Sequence, residues 1–264
     1  MTRPTTLSMA DGVGIVGGPI SRHRLGLESR RRRLDRTGEQ AIGRDVRDMG
    51  TGVGTEQSGA RPPVAGLLLT GGASRRMGRD KASIVLADGS TCAQTVAARL
   101  TQVADPVLEI GPGATGLTAV PDDRPGAGPL AALATGWAAL VGSGHAGPVL
   151  VLACDLPRVT VPMLELLARA PGDETVVPVV GGRPQPLCAR FGPASLDQCQ
   201  RLVAEGRRSL MALLDVIPVV WLGPEVWSEV VDEQCFADMD TPEDLARVLA
   251  HADRGSTDGV VRER

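Results

Sequence analysis

Tyrosine is absent from this 264-residue chain, and its aromatic set is only Phe191, Phe236, Trp137, Trp221 and Trp227. Single-stranded nucleic acid is held largely by bases stacked on aromatic side chains, so the composition argues against that partner. No apolar run reaches the eighteen or so residues needed to cross a bilayer. The first twenty residues, broken by glycine and proline, lack the compact apolar stretch of a secretory signal. The five cysteines (Cys92, Cys154, Cys188, Cys199 and Cys235) are odd in number, scattered and without a CxxC pair. That spacing argues against a disulfide framework and against a structural zinc site. These absences predict a cytoplasmic protein with no membrane and no nucleic-acid partner. A net charge of only −3 does not mark the whole chain as a polyanion binder.

Lysine is the scarcest charge. Lys81 is the only one, against 27 arginines. If a coding bias converts lysine to arginine wherever either would serve, the surviving lysine marks a position where arginine would not.

Residues 1–62 differ from the rest. They are rich in glycine and arginine, carry the run Arg30-Arg31-Arg32-Arg33, and show no sustained helix or strand period. Their charge is +4, which leaves about −7 for the body. The run could serve as a nucleic-acid or targeting arm; a disordered or mis-started extension, with the true start near Met49, is the reading preferred. Residues 63–253 form the expected domain and 254–264 a flexible polar tail.

Within that domain, Val64–Thr70 is a continuous apolar run ending at Gly71-Gly72, as expected of a strand buried on both faces. A helix is predicted at 92–103, a strand at 106–110, a helix at 129–141 and the most apolar strand at 148–153. A helix at 160–170 and a strand at 175–180 follow, with a segment at 184–191 pairing with that strand. Helices are then expected at 194–205 and 209–215, and strands at 218–222 and 235–237. Thr241-Pro-Glu-Asp244 starts a last helix, with threonine as cap and proline in the first turn. Strands alternating with helices predict an α/β three-layer sandwich around a mostly parallel sheet, a Rossmann-like arrangement.

Ligands bind such sheets beyond the carboxyl ends of the strands. There, directly after the first strand, lies Leu69-Thr-Gly-Gly-Ala-Ser-Arg-Arg-Met-Gly-Arg-Asp-Lys-Ala82. Its glycines permit close backbone approach to a ligand, and Arg75, Arg76 and Lys81 match the charge of a polyphosphate. It is not a Walker A loop, because no Gly-Lys-Ser/Thr follows Gly78, and the glycine spacing is not GxGxxG. Asp155 ends the most apolar strand, where an acid is costly unless paired or metal-bound. Cys154 reads as a small buried residue rather than a nucleophile. His23, His145 and His251 lack partners at catalytic spacing, and Ser74 and Ser209 lack a nearby base.

The loop Leu-Thr-Gly-Gly-x-Ser-x-Arg-Met-Gly-x-Asp-Lys resembles the signature of the molybdenum cofactor guanylyltransferases, within the nucleotidyltransferases of Rossmann-like fold. Gly128-Pro-Leu-Ala-Ala132, Cys154-Asp155-Leu-Pro157 and Phe236-x-Asp-x-Asp-Thr-Pro-Glu-Asp-Leu245 match further family segments in order. Pro186–Ala189 and Gly206-Arg-Arg-Ser-Leu210 are also similar, so the resemblance covers about residues 64–250. It implies transfer of GMP from MgGTP to Mo-molybdopterin, with pyrophosphate released. It further implies that Arg76 and Lys81 are catalytic, and that Leu69, Thr70, Gly71, Gly72, Lys81, Asp122 and Asp155 contact the nucleotide. Asp155 and Asp240 would hold Mg2+, with Asp238 the competing second ligand. Molybdoenzyme apoproteins or cofactor chaperones are the implied protein partners.

Two departures bear on specificity. The family often has asparagine where this chain has Asp238 and Asp240; aspartates there also occur in related cytidylyltransferases. After the second strand, Glu109-Ile-Gly111 replaces a frequent asparagine, so that contact is not carried over. The Gly-Gly of the first loop and Gly128-Pro-Leu-Ala favour guanylyl transfer over a CTP-dependent or other small-molecule transferase, and the retention of Lys81 and Asp155 weighs against a non-catalytic delivery protein.

Overall fold

The computed structural model describes residues 63–71, 81–122, 124, 126–239 and 244. All of these belong to one compact unit, Gly59–Arg264. The expected extension at 1–62 and the tail at 254–264 lie outside the described residues, as does the last helix apart from Asp244, which is helical.

Eight strands form one sheet: β1 (Ala65–Leu69), β2 (Val107–Ile110), β3 (Thr118–Val120), β4 (Val149–Ala153), β5 (Thr175–Val180), β6 (Arg183–Pro184), β7 (Cys188–Phe191) and β8 (Val219–Leu222). The order is β3-β2-β1-β4-β7-β5-β6, with β8 also on β5. The first four in this order are mutually parallel, and β8 is parallel to β5. Among them β7 runs antiparallel, wedged between β4 and β5. The sheet is thus mostly parallel, as the alternating pattern predicts.

Strand side chains alternate between two cores, because successive residues point to opposite faces. Leu67, Leu69, Val149 and Val151 enter one core with α2 (Pro129–Gly142), α5 (Gln198–Ala204) and α6 (Leu210–Leu214). Leu68, Leu150 and Leu152 enter the other with α1 (Cys92–Leu100) and α3 (Val161–Ala168). Helices on both faces make the three layers. Helix α2 lies close on β1: a Cβ at Gly136 would come within 2.7 Å of Leu67. Helix α1 begins with a Thr91–Gln94 capping box, and Thr160 caps α3 by accepting from the Met163 amide.

Two local expectations are corrected. Residues 235–237 are not a strand; Glu233–Phe236 forms a 3-10 turn, closed by the Asp232 carboxylate accepting from the Gln234 amide at 2.8 Å. Their apolarity serves burial instead, with Phe236 edge-on to Trp227 at 5.2 Å. The 194–205 helix is two, α4 (Pro193–Leu196) and α5, broken at Asp197, whose carboxylate accepts from the Trp137 indole at 2.8 Å. The 184–191 segment pairs with β5 as expected, β6 at Val179–Pro184 and β7 at Val176–Arg190, and β7 also pairs with β4. Strand β3 and the short helix α7 (Pro224–Trp227) carry no strong period in the sequence. Between β5 and α3, the buried Arg190 holds the chain by donating to the carbonyls of Ala170, Gly172 and Glu174 at 2.6–3.0 Å.

Candidate active site

The carboxyl ends of β1, β2 and β4 meet at the top of the sheet. Leu69 and Thr70 are buried there, and Gly71 is the first exposed residue. Both amides that follow β1 are spent: Thr70 and Gly71 N–H donate to the Ile110 carbonyl at 3.1 and 3.3 Å. The Leu69 carbonyl accepts from the Cys154 amide at 3.2 Å, which fixes the end of β1 to that of β4. Of the three residues read as backbone contacts, the Thr70 and Gly71 N–H groups and the Leu69 carbonyl therefore serve the fold.

Gly72 and Arg76 lie outside the described residues. The chain is described again at Lys81, which opens a 3-10 turn, Lys81–Ser83. Its ammonium donates to Asp155 Oδ2 at 2.9 Å, with side chains only 16% and 21% exposed. Residues 74 positions apart are thus brought together at the mouth of the sheet. Low exposure keeps that pair far less screened than a surface ion pair. Asp155 is held there from behind. Arg99 of α1 donates to the carbonyls of Pro157 and, at 2.7 Å, of Val159, which clamps the turn after β4. Burial lowers the Arg99 pKa, yet a guanidinium remains charged. The Cys92 thiol donates to the Cys154 carbonyl at 2.8 Å, and burial pushes its pKa far up. Cys154 is itself buried, in keeping with a packing role.

Asp122 follows β3. One of its oxygens accepts from the Arg124 amide at 3.0 Å. The other stands 3.8 Å from where a Gly71 Cβ would be, and Gly111 Cα is 4.0 Å from that point. Gly71, Gly111 and Asp122 therefore line one spot, as the assignment of Gly71 and Asp122 to a common site requires. Beside it, Gly128 opens α2 at φ 98°, and the Leu130 amide donates to the Arg208 carbonyl at 3.2 Å. A Cβ on Gly128 would come within 2.5 Å of that carbonyl. Arg208 also donates to the Gly126 carbonyl. The segments 128–132 and 206–210 thus form one structure, with a cleft of about 220 Å³ lined by Arg124, Arg207 and Arg208.

Asp240 lies outside the described residues. Asp238 is exposed, and Met239 between them is buried against Cys92 and Ile84, next to the turn that begins with Lys81. Ser209 is used as the α6 cap, and His145 packs edge-on to Trp137.

Sequence reasoning missed Glu109. This carboxylate is fully buried and accepts five hydrogen bonds. Thr70 Oγ1 and the Gly113 and Ala114 amides reach Oε1 at 2.7, 2.9 and 2.7 Å. The Thr115 amide and hydroxyl reach Oε2 at 2.9 and 2.6 Å. Burial raises its pKa, but these donors outweigh burial and hold it below the ordinary glutamate value. An acid in an apolar strand, followed by Gly-Pro-Gly-Ala-Thr-Gly, is the signal that could have found it.

Residues 66–218 match the family described as the MobA-like NTP transferase domain. The chain belongs to that family. It is a nucleotidyltransferase. A Mycobacterium tuberculosis protein named a probable molybdenum cofactor guanylyltransferase is 37% identical over 163 residues, which span 58% of this chain and 80% of that protein. Among solved structures, molybdopterin-guanine dinucleotide biosynthesis protein A from Archaeoglobus fulgidus shares the fold at TM-score 0.61. Its identity is 23%, covering 72% of this chain and all of that one. A Mycobacterium tuberculosis protein solved in complex with manganese also shares the fold, at TM-score 0.51 and 18% identity over 71% of this chain and 98% of that one. The matched span of this MobA-like domain contains Lys81, Asp122 and Asp155, and also the clamps formed by Arg99 and Glu109. Among the described residues, no helix is long and apolar enough to cross a membrane.

Proposed function

We propose that this nucleotidyltransferase transfers GMP from MgGTP to Mo-molybdopterin, forming the guanine dinucleotide cofactor and pyrophosphate. The observation that carries the reading is the Lys81–Asp155 pair at the mouth of a MobA-like site, 2.9 Å apart and mostly buried. The 37%-identical relatives named as probable molybdenum cofactor guanylyltransferases support the choice of nucleotide and acceptor.

In the reaction, an oxygen of the acceptor's terminal phosphate forms a bond to the α-phosphorus of GTP as the bond from that phosphorus to the β-phosphate oxygen breaks. Two anions must meet and charge grows on the departing pyrophosphate, so the barrier is mainly electrostatic. Lys81 supplies a preorganised positive charge for the triphosphate, aimed by its contact with Asp155. Arg76 is assigned to the same phosphates from the loop's sequence. Leu69, Thr70 and Gly71 would supply backbone contacts to the nucleotide, with Gly72 and Asp122 as further positions of the same site. The cleft with Arg124, Arg207 and Arg208 offers cationic charge to the phosphate of an anionic acceptor.

The residues fit a magnesium ion. Lys81 donates to Oδ2 of Asp155. Magnesium takes one or two carboxylates, completed by substrate oxygens and water, so the described residues need no larger acidic cluster, and none is found among them. Asp155 would hold the ion with Asp240 as the second carboxylate. When bound, it would neutralise the triphosphate and polarise the α-phosphate.

The test is product identification. Full-length protein is incubated with Mo-molybdopterin and either MgGTP or MgCTP, and the product is resolved by mass. The guanine dinucleotide is expected; a cytosine dinucleotide would transfer the reading to the CTP-dependent alternative. Nucleotide binding with no product from either would favour a delivery protein. On this reading the enzyme would work in the cytoplasm, where molybdoenzyme apoproteins or cofactor chaperones would receive its product.

A further inference from the structure

We infer that Glu109 is a positioning residue of the nucleotide site, tying the end of β1 to the loop 111–116 so that the ligand meets a preformed wall. This rests on the reading that a nucleoside triphosphate binds beside Gly71 and Asp122. Its partners come from both sides of that spot. Thr70, immediately before Gly71, donates from β1, and Gly113, Ala114 and Thr115 donate from the loop after β2. Between them, Gly111 leaves no room for a side chain: a Cβ there would stand 2.1 Å from Thr70 Oγ1.

The chemistry favours a carboxylate at this position. Three consecutive backbone N–H groups converge on it, an arrangement that selects an anion. In each planar trans peptide, N–H and the preceding C=O point in opposite directions. Drawing the 113–115 amides inward therefore turns the carbonyls of Pro112, Gly113 and Ala114 away from Glu109. Pro112 and Gly113 are exposed, so the loop presents acceptors at the surface. A glutamine could accept through its oxygen, but its NH2 would confront at least one donor. The loop would then order only when ligand binds, and affinity would fall by that ordering cost. A group that orders the site before binding acts on KM and nucleotide Kd, while the charge at Lys81 still sets turnover.

The experiment measures KM, kcat and nucleotide Kd for the full-length wild type, Glu109→Gln, Thr115→Val and Thr115→Ser. Wild type is first titrated with MgGTP and MgCTP, and the series is run with the one it binds more tightly. Preference for CTP would overturn the guanylyl reading alone, since the Glu109 comparison proceeds unchanged with that nucleotide. The expected result for Glu109→Gln is a rise in both KM and Kd of about tenfold, the loss typical of one hydrogen bond to a charged group, with kcat per folded molecule nearly unchanged. Thr115→Val should raise KM in the same direction, and Thr115→Ser, which keeps the hydroxyl, should restore it. If Glu109→Gln does not fold, the two Thr115 variants decide. A fall in kcat that follows the loss of folded protein, with KM and Kd unchanged, would overturn the proposal. So would an unchanged KM in Thr115→Val.

Discussion

At the residue scale, the proposed chemistry rests on a few carboxylates, Arg76 and the lone lysine, Lys81. Lys81→Ala is expected to lose most of the turnover, since one preorganised charge of this kind is worth roughly 3–4 kcal/mol, or about 10² to 10³ in rate. Lys81→Arg should rescue only part of this, because a longer, planar guanidinium spreads its charge where the ammonium beside Asp155 is a compact point. Steady-state rates on saturating MgGTP check both. For the metal, Asp155→Asn is expected to abolish magnesium-dependent turnover, Asp240→Asn to weaken it, and Asp238→Asn to do less. Titrating magnesium against rate orders the three. An unchanged magnesium dependence in Asp155→Asn would contradict the assignment. Glu109 adds a pH dependence. Its folded pKa is depressed, so its stabilisation is complete above the ordinary glutamate value and is lost as pH falls through the folded value. Glu109→Gln should cost roughly 2–3 kcal/mol at pH 7, and the gap should close in acid. Urea unfolding at neutral and acid pH measures it.

At the scale of elements, the site depends on loops that brace each other, and Gly128 is the clearest case. Its φ of 98° and the 2.5 Å approach of the Arg208 carbonyl leave no space for a side chain. Gly128→Ala should therefore cost roughly 2–3 kcal/mol, displacing 206–208 from the start of α2, and thermal unfolding would report the loss. These elements also show how far the sequence could be read. The periods of β1, β4 and β5 and the start of α2 are plain because each is long, apolar and bounded by glycine or proline. Asp155 was legible because an acid at the end of so apolar a strand needs a partner, and Lys81 because it is the only lysine. The antiparallel insertion of β7 was not legible, since pairing order is a tertiary choice that local pattern does not encode. Nor was the turn at 233–236, where apolar residues serve packing and not a ladder. Glu109 was passed over because it stood where a family asparagine was expected; its partners are backbone amides, which a sequence does not display.

At the scale of the whole molecule, the described unit buries both faces of its sheet, with the candidate site at the carboxyl ends of the strands β2, β1 and β4. Sequence reasoning gave this architecture from the alternation of strands and helices. Residues 1–62 contribute no apolar period to it, and the first buried strand starts only at Ala65. A chain starting near Met49 should therefore fold and keep its transferase rate, which a thermal melt and the same assay would check; an insoluble or inactive product would contradict this. The central claim concerns what the site does with a nucleotide. Its most direct test is the initial rate of pyrophosphate release by the full chain with MgGTP, measured with and without Mo-molybdopterin and repeated with MgCTP. The account predicts release that requires the acceptor, is fastest with MgGTP and falls by about 10² or more in Lys81→Ala. Release that ignores the acceptor, or that runs as fast in Lys81→Ala, would contradict it.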